Sequence, residues 1–159
     1  MQGFPQPTIP GEAVSHLMFA PLPSAAFWAR RYTEAVLRAW QLQTDDIETA
    51  QLCVSELVTN SVKFTGSPTP HVVYSILTEV KAVSLILRHR SDILIIEVSD
   101  PDSAPPTLTE AGPSAESGRG LMLVRAVSKE WNFYLPSSGG KVVYCVISTR
   151  RRSGNDPAD

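Results

Sequence analysis

Cysteine and histidine are scarce in this sequence of 159 residues, with two of the former and three of the latter. Cys53 and Cys145 form neither a C-x-x-C pair nor a metal-ligand spacing, which excludes a zinc finger and a secreted disulfide scaffold. Reduced thiols in a cytoplasmic protein are the expectation. His16, His71 and His89 are scattered, with no acidic residue directly following, and read as isolated structural or surface side chains. An excess of one charge is also missing: 14 Lys+Arg face 16 Asp+Glu, a formal net charge of -2. Duplex nucleic acid or an anionic membrane surface would find no electrostatic footprint here. No apolar run is long enough to span a bilayer, and the opening MQGFPQPTIPGEAVSHLMFAP lacks the basic start and unbroken apolar stretch of a signal peptide. Nor is there a G-x-x-x-x-G-K-S/T phosphate loop or a G-x-S-x-G nucleophile elbow. Trp28, Trp40 and Trp131 fall at core-like positions, and a stacking platform for nucleic acid does not fit this charge.

What is present suits one domain with an ordinary core, since 43% of the residues are hydrophobic. Residues 1–15 carry Pro5, Pro7, Pro10, Gly3 and Gly11 and predict a mobile lead-in. The apolar HLMFA at 16–20 reads as an edge strand. Ser24 is placed to cap a helix running to about Trp40, with Trp28, Tyr32, Ala35, Val36 and Ala39 as its apolar stripe. Thr44 or Asp45 starts a longer helix through Lys63, with Asp45, Asp46 and Glu48 near its positive end. Strands are predicted at 72–77, 83–90 and 93–99, the last two joined by a tight hairpin at Arg90-Ser91-Asp92. A polar, proline-rich loop occupies 101–116, a helix runs over about 119–128, and strands follow at 131–135 and 141–148. The domain is placed at 16–149, with a disordered tail at 150–159. This order predicts an α+β fold: a mixed, mostly antiparallel sheet with its helices on one face.

Three segments bear chemistry. On the long helix, at about 100° per residue, Thr49, Glu56, Asn60 and Lys63 share one face, and Ile47, Val54 and Val58 lie opposite. A carboxylate there can take a proton from a hydroxyl, and a carboxamide oxygen is a hard ligand suited to Mg²⁺. The bland alternative is a solvated helix face. Second, Asp100-Pro101-Asp102-Ser103 ends the apolar strand ILIIEVS. It offers a carboxylate to an exocyclic amine or, more plainly, an Asx-type turn. Third, Ser117-Gly118-Arg119-Gly120-Leu121 closes the long loop and opens a helix. Free backbone N–H groups there favour phosphate oxygens, while the alternative is a flexible loop end.

Helix E-x-x-x-N, then a strand ending in Asp, then a long loop closed by G-x-G-L: in this order the segments resemble the GHKL ATP-binding superfamily, which includes the histidine kinase catalytic domains. The wording ELVTNSVKF, SDPD, SGRGLMLV and GGKVVY is most similar to the stand-alone anti-sigma factor serine/threonine kinases. The resemblance implies a two-layer α/β sandwich of the Bergerat type and ATP with Mg²⁺ as cofactors. It implies Glu56 as general base, Asn60 as the Mg²⁺ ligand, and Asp100 as acceptor from the adenine amino group. Gly118, Arg119, Gly120 and Leu121 would wrap the phosphates, Lys63 would assist, and residues 105–117 would form a lid. The implied partners are an antagonist protein, a sigma factor, and a second copy in a homodimer. Three departures stand out: Phe64 where relatives often have histidine, Asp102 where a glycine is common, and a longer stretch at 70–80. Phe64 and Asp102 keep open a non-catalytic interaction module, the longer stretch suggests an extra strand or a partner surface, and a plain ATPase would share every motif.

Overall fold

A computed structural model describes residues 9–65, 82–106 and 119–150, the side chains of Phe64 and Thr65 excepted. The elements run β1 (Ala13–Phe19), α1 (Ala25–Ala39), α2 (Thr44–Thr65), β2 (Val83–Arg90), β3 (Ile93–Asp100), α3 (Arg119–Val127), β4 (Glu130–Tyr134) and β5 (Lys141–Ser148). The strand expected at 72–77, His71, Gly118, most of the lid and all of the tail except Arg150 lie outside the described residues. The α+β expectation holds, with a five-stranded sheet in the order β1-β2-β3-β5-β4. Every neighbouring pair among the described residues is antiparallel, so no mixed pairing occurs there.

Alternation along the strands sorts the sheet into two faces. Leu85, Leu87, Leu94, Ile96, Val98, Cys145 and Ile147 point to one side and are buried with Leu37, Val54 and Val58 from the helices. Each such side chain contributes about 1.5–3 kcal/mol on leaving water. α2 lies across β3 and β5, with α1 and α3 packed against it. The other face has no helix among the described residues. It carries Ile86, Arg88, Ile95, Glu97, Tyr144 and Val146 in cross-strand register.

Several boundaries moved for identifiable reasons. β1 begins at Ala13 rather than residue 16, because Ala13, Val14 and Ser15 pair with His89, Arg88 and Leu87 of β2. The expected hairpin is there, with Ser91 in the left-handed region at φ 56°. α1 follows Ser24, but the serine makes no side-chain cap, its own φ and ψ being helical at -81° and -5°. The stripe expected on α1 is also shifted. The buried line is Ala25, Ala29, Thr33 and Leu37, flanked by Tyr32 and Val36, while Ala35 and Ala39 face solvent and Trp28 is 64% exposed. The small residues Ala25 and Ala29 are buried in the core. A hydropathy stripe weights the large aromatic instead, so it turned the helix the wrong way. Trp40 and Trp131 do pack on the core. α1 ends in a left-handed Gln41 (φ 62°), the Gln41 N–H donating to Arg38 O and the Leu42 N–H to Leu37 O. That double closure satisfies the last carbonyls of the helix.

Arg150, where the tail was expected to start, is held by its backbone. Its N–H donates to the buried Asp46 carboxylate at 2.6 Å, and its carbonyl accepts from the Gln43 N–H at 3.2 Å. His89 is a structural histidine, buried between Thr149 Oγ1 (3.0 Å) and the ring of Trp40. His16 lies on the exposed side of β1.

Candidate functional site

The two sides of α2 separate as the helical period demands. Ile47, Val54 and Val58 are buried, Thr49, Glu56 and Asn60 are half-buried, and Lys63 is exposed in the last turn. Glu56 reaches the beginning of α3. A Cβ added to Gly120 would lie 2.1 Å from Glu56 Oε2 and 3.1 Å from Glu56 Cδ. The glycine thus makes room for a carboxylate beside the first turn of a nine-residue helix, where backbone N–H groups lack intrahelical acceptors. Arg119 is exposed at the head of α3, and Leu121 turns its side chain into the core. What Leu121 can offer a ligand is therefore its backbone N–H. Glu56 and Gly120, far apart in sequence, are brought into contact.

Asp100 ends β3 on the face covered by the helices and is buried. Its Oδ1 accepts the backbone N–H of Asp102 at 2.9 Å, so the Asx-type turn considered from sequence is present. Asp102 repeats the device, its Oδ1 accepting from the Ala104 N–H at 3.0 Å. Asp100 Oδ1 also accepts from Lys141 Nζ at 3.1 Å, and Lys141 reaches the Asp102 carbonyl at 3.1 Å. Sequence reasoning missed Lys141. The signal was available: inward positions of β5 run 141, 143, 145 and 147, so strict alternation puts this lysine inside.

Among the described residues no group of three His, Cys, Asp or Glu side chains is arranged to hold a metal ion. A cation beside Asn60 would draw most of its shell from phosphate oxygens and water, which is the habit of Mg²⁺. A single carboxamide oxygen on a half-buried helix face fits that role.

Cys53 of α2 and Cys145 of β5 are buried in contact behind this helix. The hydrogen bond that Cys145 donates to Cys53, together with burial, pushes the Cys145 thiol well above its ordinary range. On the opposite sheet face, a cleft of about 580 Å³ contains Val14, Ile86, Arg88, Glu97 and Tyr134 and reaches Asp100 and Lys141 at its margin. Its lining includes the Arg88–Glu97 pair at 2.8 Å, with Glu12 3.8 Å from Arg88. Burial, reinforced by Glu97, raises the Tyr134 hydroxyl above its ordinary value. Glu56 and Asn60 do not line this cleft.

In this α+β fold α2 sets Glu56 against Gly120 at the head of α3, and β3 ends in the buried Asp100. The profile of a family described as "Histidine kinase-like ATPase domain" matches residues 19–147, and the chain belongs to that family. No curated protein matches in sequence. Among solved structures the fold is similar to "The crystal structure of the RsbU and RsbW domains of Rv1364c from Mycobacterium tuberculosis". The TM-score is 0.59 at 16% identity, over 87% of this chain. This chain spans 32% of that one. Family membership implies nucleotide binding. No helix among the described residues is long and apolar enough to cross a membrane.

Proposed function

We propose that the protein binds Mg²⁺-ATP among the polar side of α2, the end of β3 and the start of α3, and transfers the terminal phosphoryl group to a serine or threonine hydroxyl of a small antagonist protein. A sigma factor or similar regulator is the other partner, held in one state and released in the next, and the cytoplasm is the setting. One observation carries the reading: the Glu56 carboxylate lies against Gly120 at the head of α3. A carboxylate in that position supports the reading of a proton acceptor next to N–H groups suited to a triphosphate.

In this reading the attacking hydroxyl gives its proton to Glu56. Asn60 holds Mg²⁺ on the phosphate chain, and bound Mg²⁺ supplies charge neutralisation. Asp100 accepts from the adenine amino group. Gly118, Arg119, Gly120 and Leu121 surround the phosphates, with Lys63 adding a positive charge at their margin. Phosphoryl transfer asks chiefly for positioning and charge compensation, which these groups provide.

The test incubates the protein with labelled ATP and candidate antagonist proteins. Transfer to a partner serine or threonine is expected. Phosphate release without transfer would make the protein an ATPase. A calorimetric titration with no nucleotide binding, with or without Mg²⁺, would leave an interaction module. Glu56→Gln is expected to slow transfer about 10²–10⁴-fold, the usual worth of a general base, with the ATP Kd changed only a few-fold. Undiminished turnover would remove Glu56 from this role.

A further inference from the structure

We propose that Lys141 is the positioning residue for base recognition: it pins one oxygen of Asp100 so that only the other is offered to a purine amino group. The inference rests on the nucleotide reading above and adds to it a residue which that reading leaves idle.

Asp100 and Lys141 are register partners at the end of the β3–β5 ladder, so the backbone sends both side chains to the same face. Their side chains are 2% and 3% exposed and meet at 3.1 Å. Gly140 permits the approach, because a Cβ there would stand 2.3 Å from the Asp100 carbonyl oxygen. A buried ion pair of this kind is a weak source of stability, since removing both charges from water offsets their attraction. Its geometry is more informative. Asp100 Oδ1 accepts two donors, Lys141 Nζ and the Asp102 N–H, while Oδ2 has no hydrogen-bond partner among the described residues.

The terminal torsion of an aspartate is soft and nearly two-fold. Two donors on one oxygen fix it, and they leave Oδ2 as an acceptor in a set direction. An ionised carboxylate only accepts. A ring N–H₂ group can satisfy Oδ2, whereas a ring carbonyl would set two acceptors against each other.

The experiment uses the full chain and measures Kd for ATP and for ITP, whose base carries a carbonyl where adenine has its amino group. The wild type is expected to prefer ATP at least about tenfold, since a site built around a substrate N–H penalises an analogue without it. Lys141→Met should bring the two within about threefold of each other, and Lys141→Gln, whose amide N–H can still donate to Oδ1, should restore most of the preference. If Lys141 only supports the fold, Lys141→Met lowers the melting temperature and weakens both nucleotides in proportion, leaving their ratio unchanged. That result overturns the proposal and leaves the nucleotide site standing. Wild-type protein that binds neither nucleotide overturns both. Asp100→Asn is a second probe, independent of whether Lys141→Met folds. With Lys141 and the Asp102 N–H both donating to one position, the amide must put its oxygen there and its N–H₂ outward, so preference should swing towards ITP. Retained ATP preference in Asp100→Asn would count against the pinning.

Discussion

Gly120 has no side chain because Glu56 occupies the space one would need. Helix propensity alone favours alanine at such a position by about 0.8–1 kcal/mol. Gly120→Ala is therefore expected to leave the melting temperature unchanged or slightly raised, since the atoms it displaces are the flexible end of Glu56. The displaced carboxylate is the proposed base, and a misplacement of about 1 Å can cost roughly 10²-fold in rate. Turnover should fall by that order while stability does not, and steady-state kinetics beside a thermal melt read both. A loss of stability matching the loss of rate would mean that the glycine serves packing instead. The sequence announced Glu56, Asn60 and Gly120 separately, through residue type and spacing. It could not announce the contact between Glu56 and Gly120, which depends on how α3 returns to α2.

At the scale of elements, the turn into β5 is where a short segment does most to shape its surroundings. Gly139 and Gly140 both have positive φ, 93° and 74°. Only Gly140 is also crowded, with the backbone of Asp100 and Pro101 within 3.2 Å of its missing Cβ, whereas nothing lies within 4 Å at Gly139. Gly139→Ala should thus cost only the strain of a left-handed alanine, about 1 kcal/mol. Gly140→Ala must also push backbone against backbone and should cost about 2–3 kcal/mol or more. Urea unfolding midpoints of the two variants check the difference, and equal losses would deny the close approach. β2, β3 and β5 were legible in the sequence because apolar, β-branched runs with alternation leave little choice. α1 was legible as a helix but not in its rotation. Small buried residues such as Ala25 and Ala29 carry little hydropathy, and the exposed Trp28 carries a great deal.

For the whole molecule, the nucleotide reading makes a thermodynamic demand. A ligand that binds only the folded chain adds about 2.7 kcal/mol at a hundred times its Kd. In a protein of this size each kcal/mol moves the melting temperature by about 2–4 °C. Mg²⁺-ATP should accordingly raise the melting temperature by roughly 5–10 °C, and Mg²⁺-ITP at the same concentration should raise it less. No shift with Mg²⁺-ATP at saturating concentration would contradict nucleotide binding outright.

β1 finds its partner in β2 only after both α1 and α2 have been traversed, Phe19 lying opposite Val83 and Ala13 opposite His89. Contacts of such long sequence separation are characteristic of chains that fold in milliseconds to seconds rather than microseconds. The β2–β3 hairpin closes locally, whereas β1 must wait until β2 is in place. During synthesis β1 emerges well before β2 and waits with its ladder groups unpaired, which makes it a seam where a nascent chain is open to pairing with another copy of itself.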